Sequence, residues 1–274
     1  MKLSILKNTV LGFAVTCALV FAQKQPKPKS QKEVEALQAV FNTQDPDARI
    51  AAVDSLLSKF ADTEFKSVAL QVAAMSAQQK NDYEKMVIYS ERTLEADPSS
   101  YQAMLMLASG LATHTKEFDL DKEEKLKRSE GYANSALAAI KTAAKPNPQI
   151  TDEQWEGAKK DMTAQAHESL GLAAMVRKNY AGATQAFKAA VDSGATPDAA
   201  TMVRLASAYN LSKKPDEAIA VLDKLNTMPD VNAAIKNVAQ SERNNAVKLK
   251  GGSAGATPAA PSTSPAPAVT PAKP

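Results

Sequence analysis

Between residues 164 and 197 the chain reads AQAHESLGLAAMVRKNYAGATQAFKAAVDSGATP, and the spacing of its small and apolar residues recurs elsewhere at steps of 34 or 35 residues. Self-similarity at such a period points to stacked supersecondary units rather than to a single closed domain. His167, Leu170, Gly171 and Ala174 stand at i, i+3, i+4 and i+7, which is one face of a helix. Tyr180, Ala183, Phe187 and Ala190 define the face of a second helix. Gly171 lets two helix backbones come close, Ala183 faces that small residue from the partner helix, and Phe187 fills the wider part of the wedge. Neither helix buries its apolar face alone, so neighbouring hairpins must stack.

The next unit begins at Ala199, with Met202, Leu205, Ala206 and Tyr209 on its first helix and Ala218, Leu222 and Leu225 on its second. Pro215 falls at the start of that second helix, where its missing amide hydrogen does no harm. Upstream, residues 67–100 carry Leu70, Ala73, Ala74 and Ala77, then Tyr83 and Met86, and close on Asp97-Pro98. Ser90 stands there where Phe187 stands later, which implies weaker packing. A third unit starts at Tyr101 with Met104, Leu107, Ala108 and Leu111. Its second helix, marked by Ser129, Ala133 and Ala136, arrives nine residues late behind the connection THTKEFDLDKEE. One step back from Ser67 reaches Glu33, and Ala52 and Leu56 then fit a second helix in a degenerate first unit, as a terminal cap often is. Ser30 and Glu33 have the spacing of a capping box.

Composition agrees with helices. Alanine is abundant, aromatics make up 5% of the chain, and no Val/Ile/Thr alternation bounded by turn residues appears. Residues 142–163 depart from the period: Lys145-Pro146-Asn147-Pro148 breaks the chain, Thr151 and Gln154 form another capping box, and Trp155 and Met162 extend the incoming helix. After Pro229, residues 230–248 read as a final solvating helix.

The positions in 164–197, including Leu170-Gly171 and the series Ala183, Phe187, Ala190, resemble the tetratricopeptide repeat closely, and the resemblance extends over about residues 31–228. It implies an all-α fold: a right-handed α-solenoid of antiparallel helix pairs spanning 31–250. The units lie near 33–66, 67–100, 101–141, 164–198 and 199–229, followed by the capping helix. It also implies a concave face lined by the second, fifth, ninth and twelfth residues of each first helix. Those are Val68, Gln71, Met75 and Gln78, then Gln102, Leu105, Ser109 and Ala112. The later units supply Gln165, Glu168, Leu172 and Met175, then Ala200, Val203, Ser207 and Asn210. Chaperone-docking members of the family clamp a peptide carboxylate with Lys and Asn at the fifth and ninth positions. Here those positions hold Gln71 and Met75, Leu105 and Ser109, Glu168 and Leu172, so no such clamp is expected. A groove mixing amides with aliphatic and thioether groups suits an extended peptide, unless part of it packs against the 142–163 insertion.

The ends of the chain differ from its middle. Lys2 and Lys7 precede an apolar run from Val10 to Ala22, with Val20 and Ala22 placed as a cleavage site. That is the pattern of a secretory signal peptide over residues 1–22, with an uncleaved membrane anchor as the alternative. A basic linker over 23–30 follows. Cys17, the only cysteine, lies inside the apolar run, so cleavage would leave no thiol for disulfides, catalysis or zinc. It would also lower the net charge from +3 to +1, which gives no electrostatic reason to expect nucleic acid. Residues 251–274, GGSAGATPAAPSTSPAPAVTPAKP, carry six prolines and almost no large apolar side chain, the composition of a disordered tail.

No HExxH, GxSxG, Walker or dinucleotide-binding pattern occurs. His167 occupies a core repeat position and His114 a helix end beside the long connection. The acidic run Asp119–Glu124 lacks the glycine and ligand spacing of a calcium loop. The expectation is a non-enzymatic scaffold without catalytic, metal or cofactor site, exported to the periplasm or medium and binding proteins or peptides through its repeat surface. The alternative is a ligand-binding or catalytic protein using residues 142–163 around Trp155.

Overall fold

The computed structural model describes residues 26–254, which form eleven α-helices and no strand. They are α1 (Gln31–Asn42), α2 (Pro46–Lys59), α3 (Lys66–Gln79), α4 (Tyr83–Ala96), α5 (Tyr101–His114), α6 (Lys122–Thr142), α7 (Asp152–Val176), α8 (Tyr180–Ser193), α9 (Ala199–Leu211), α10 (Pro215–Asn226) and α11 (Ala233–Ala254). Each helix packs on its successor, so α1/α2, α3/α4, α5/α6, α7/α8 and α9/α10 form consecutive hairpins stacked in series. The expected signal segment, and the tail from residue 255, lie outside the described residues. Helix α11 runs to Ala254, past the expected end at 248, and takes in the first residues assigned to the tail. None of these helices is long and apolar enough to cross a membrane.

The helix starts follow from local chemistry. Asp45, Asp82, Ser100, Thr151, Asn179 and Asp198 each accept a hydrogen bond from an amide in the first turn that follows. Pro46 and Pro215 open α2 and α10, where a missing N–H costs nothing. The reciprocal box at Thr151 and Gln154 is complete. At Ser30 only half of it forms: the Glu33 amide donates to the Ser30 hydroxyl, but the Glu33 carboxylate takes the Lys29 amide at 2.5 Å and the Thr63 hydroxyl at 2.6 Å. The carboxylate is drawn away because Thr63, at the far end of α2, offers a buried donor.

The turns within three hairpins share one device. Asn81, Lys178 and Lys213 adopt left-handed backbone at φ 57°, 59° and 57°, although none is glycine. In each, the left-handed residue's N–H and the next one donate back to the helix, as in Asn81 N to Gln78 O and Asp82 N to Ala77 O, both 2.9 Å. This six-to-one closure reverses the chain within three residues. The α5–α6 connection has no such turn; residues 115–121 replace it and leave Phe118 and Leu120 fully exposed.

Packing matches the repeat register. Leu70, Ala73, Ala74 and Ala77 of α3, Leu107, Ala108 and Leu111 of α5, and Leu205 and Ala206 of α9 are all buried. Opposite Gly171, the Phe187 ring lies so close that a methyl group there would meet ring carbons at 2.6 Å. Ser90, at the site corresponding to Phe187, is fully buried with its hydroxyl 3.8 Å from the Met86 sulfur, and the Met86 methyl lies against Gly110 of α5. In α6 the late-arriving Ser129, Ala133 and Ala136 are all buried, and the Ser129 hydroxyl donates to the Ala108 carbonyl at 2.7 Å.

Polar ties also repeat with the period. Tyr89 donates to Asp54 across 35 residues at 2.8 Å, Arg128 pairs with Glu91 across 37, and Arg204 with Glu168 across 36. Asp161 accepts from the Ala195 and Thr196 amides, 34 and 35 residues on. Each links one hairpin to the next. Burial, then the hydrogen bond to Asp54, pushes the Tyr89 phenol up to about 12.

Candidate partner-binding surface

A partner can reach only those first-helix positions that the repeat leaves outside its core. In α3 the division is clean. One face, Leu70, Ala73, Ala74 and Ala77, is buried, while Val68 and Met75 on the other are 43% and 53% exposed and flank the half-buried Gln71. Gln78 continues this face in the open. Uncharged amides and apolar side chains therefore alternate along one helix.

One step of the repeat earlier, Phe41 of α1 stands 34 residues before Met75 and is also exposed. Sequence patterning misses it because the first unit is degenerate; the step of one period back from Met75 would have found it. Helix α2 begins at Pro46, early for the register, and α1 ends correspondingly early at Asn42, so the connection keeps the three-residue length of the α3–α4 turn.

From α5 onward the face is progressively covered. Gln102 and Ser109 are half-buried, but Leu105 is only 4% exposed. Leu105 packs in a cluster with Met104, Ile140 and Ala166, against which Met162 also lies. Its expected place on a partner-binding surface is therefore corrected: α7, which the 142–163 insertion lengthens, packs against α5 and brings Met162 and Ala166 to the cluster that holds Leu105. Trp155, in the first turn of α7, is buried and its indole N–H donates to the Ala143 carbonyl at 3.2 Å, which makes it a packing residue that pins the connection to α7.

Further along α7, Gln165 is exposed and Glu168 is half-buried against Arg204. Both line a cleft of about 280 Å³ formed with Asp161, Val191 and Asp198. Leu172 and Met175 are half-buried in the cluster that contains Phe187 and Leu205. His167, expected in the core, is only half-buried, and burial holds its imidazole below the ordinary value. His114 stacks on Tyr83 with ring centroids 4.1 Å apart, a contact with no signature in the spacing of the chain.

In the last unit Ser207 is half-buried, but Val203 and Asn210 are 9% and 8% exposed. Their expected availability is likewise corrected. Helix α11 packs on α9 as well as on α10, and Asn210 Nδ2 donates to the Glu242 main-chain oxygen at 3.0 Å and to its carboxylate at 2.7 Å. Of the sixteen residues expected to line the concave face, Val68, Met75, Gln78 and Gln165 are exposed, and Leu105, Ala112, Val203 and Asn210 have been taken into the fold.

No family model matches the chain, and no curated protein matches it. Among solved structures it is similar to a thermophilic tetratricopeptide repeat protein of Thermus thermophilus, at 16% identity over 77% of this chain and 98% of that one, with a TM-score of 0.46. It is also similar to a tetratricopeptide repeat protein of Parabacteroides merdae, at 13% identity over 84% and 95% of the two chains, TM-score 0.41. A third is the assembly chaperone of RpL4, Acl4, at 10% identity over 82% and 99%, TM-score 0.42. By its own repeat register, its serial hairpins and the small-residue contact of Gly171 with Phe187, the described chain is an all-helical array of stacked hairpins, consistent with the arrangement that its resemblance to the tetratricopeptide repeat implies.

Proposed function

We propose that this protein is a non-catalytic interaction scaffold that receives a segment of a partner protein on the first-helix face of its N-terminal hairpins. The observation that carries this reading is α3, which buries one face completely and leaves Val68 and Met75 open beside Gln71. Alternating amide and apolar groups suit a segment held in extended form: the amides meet its backbone, and Met75, with its adaptable thioether, accepts its side chains. The covering of Leu105 and Val203 narrows the site to α1 and α3, with Gln165 and Glu168 forming a separate cleft near α9. A neutral face does not call for a charged ligand.

The N-terminal leader, with Lys2 and Lys7 ahead of an apolar run and small residues at its end, supports export, and the working place we assign is the periplasm or the medium. A catalytic role for residues 142–163 would need polar groups converging near Trp155. Its indole is instead spent on the Ala143 carbonyl, which favours packing.

The test is capture of partners from an envelope fraction by the unaltered chain, by Val68→Glu and Met75→Glu, and by Ile88→Glu. Ile88 is an equally exposed apolar residue on α4, the other helix of that hairpin. Loss of the same partner from both α3 variants, with retention by Ile88→Glu, is the expected result. Equal recovery by all four chains would remove the site from α3.

A further inference from the structure

The last hairpin is covered by a helix with unusually little to hold it. The second helices α2, α6, α8 and α10 each bury a large side chain completely: Leu56, Leu126, Phe187, and Leu222 with Leu225. Among the described side chains of α11 the buried ones are Ala239 and Ala246, with Ile235 packed partly against the same cluster. Its ion pairs, Arg243 with Asp223 at 3.0 Å and Lys250 with Asp216 at 2.6 Å, are exposed to solvent and so are weak anchors. Its less exposed polar tie is the Asn210–Glu242 pair, and the Asn210 Oδ1 is buried without a hydrogen-bond partner among the described residues. The chain enters α11 through residues 227–232, where Asp230 adopts left-handed backbone at φ 55°. An open, mostly apolar cleft of about 320 Å³ runs between α9 and α11, lined by Ala200, Val203, Arg204, Ala234, Ile235 and Val238.

We infer that the α9–α10 hairpin is a helix-binding site of which α11 is the exchangeable occupant in cis. The ligand is a helix of a partner protein that presents the same chemistry: two small residues seven apart, as Ala239 and Ala246 are, with a carboxylate between them to meet Asn210. The seat itself specifies this. Alanines let the incoming backbone approach α9, and Asn210 Nδ2 needs an acceptor once it is buried. The site extends the scaffold reading given above to a second surface, and neither depends on Met75.

The α11 helix competes with any incoming one, so apparent affinity for a partner is reduced by the fraction of molecules in which α11 is seated. Weakening α11 in cis must therefore strengthen binding in trans. The test uses the full chain with a fluorescent peptide of residues 231–250 as probe. In native-state hydrogen exchange, amides from Ile235 to Ala246 should exchange on the order of 100-fold faster than the most protected amides of α9 and α10, through an opening short of global unfolding. By fluorescence anisotropy, Arg243→Asp in the chain should tighten peptide binding about threefold to tenfold, and the same change in the peptide should weaken it. Ala246→Glu in the chain should tighten it further; Arg243→Asp alters only a half-exposed side chain and keeps the test sound if the former misfolds. Exchange of α11 in step with α9 and α10, or peptide affinity unchanged by Arg243→Asp, would overturn the inference. A dimer forming as α11 is released would overturn the partner's helix as occupant and give the seat to a second copy. Met75→Glu leaves every one of these readouts unchanged, so failure here and failure at α3 are separable.

Discussion

Two glycines in helix interiors allow the close-packing argument to be tested by a difference in sign. Replacing glycine with alanine inside a helix removes backbone freedom from the unfolded chain and stabilises by about 1 kcal/mol where the site has room. Gly131 on α6 has room: a methyl group built there meets nothing within 4 Å. Gly171 on α7 does not. There the methyl would sit 2.6 Å from two carbons of the Phe187 ring and 2.9 Å from a third, against about 3.4 Å for an ordinary contact, so ring or helix must give by most of an ångström. The ring is wholly buried and rigid, and crowding of that kind in a packed interior costs about 1–3 kcal/mol. Setting the helix gain against it leaves Gly171→Ala destabilising by about 1–2 kcal/mol, while Gly131→Ala stabilises by about 0.5–1 kcal/mol. Urea unfolding followed by circular dichroism measures both. A second measurement isolates the contact: in Phe187→Leu, whose side chain is narrower, Gly171→Ala should cost less than in the unaltered chain, a positive coupling between the two sites. If Gly171→Ala stabilises as much as Gly131→Ala, the two helices are not held at the separation that a missing side chain permits. The wedge that sets one hairpin against the next would then be wrongly described.

Lys213→Gly should stabilise by about 1 kcal/mol in urea unfolding, because a left-handed residue with a β-carbon carries strain that glycine does not. Ser129→Ala should cost about 1 kcal/mol, since its hydroxyl joins α6 to the Ala108 carbonyl of α5. Ser169→Ala should change stability by less than about 0.5 kcal/mol, because that equally buried hydroxyl donates only to the Gln165 carbonyl of its own helix. Stability should also fall with pH in two stages, read as urea midpoints. Burial disfavours the charged His167 imidazole, so its folded value lies below the ordinary one of about 6.5, and stability is lost as pH drops below that value. The Glu33 carboxylate, held low by the Thr63 hydroxyl and the Lys29 amide, and that of Glu123, held low by Arg177, contribute above about pH 4.3 and lose that contribution below it. His167→Gln should flatten the first stage and leave the second.

The hairpins were legible because their core positions are fixed by near neighbours. Leu70 with Ala73 and Ala74, or Leu205 with Ala206, report a helix face through spacing alone, and the period then says where the next face lies. What spacing does not report is a third helix arriving from elsewhere in the chain. Leu105 and Gln71 hold the same register position, yet one is buried and the other partly open, because only α5 is crossed by the lengthened α7. A sign of this was present: Met104, Leu105, Met106 and Leu107 make α5 apolar all the way round, which belongs to a helix enclosed on every side. Val203 and Asn210 carried no such sign. Val203 is an ordinary groove residue and Asn210 an ordinary polar one, and only the seating of α11, built from alanines that look like solvent-facing filler, takes them out of reach. The left-handed turns were hidden for a related reason: Lys178 and Lys213 adopt that backbone because the helix closures on either side demand it, against the preference of the residue. The available surface is therefore decided by which added helices cover which units. Among the described residues no such helix lies over α1 and α3, and there the exposed Phe41, Val68 and Met75 keep the apolar character that elsewhere in the array has been used for packing.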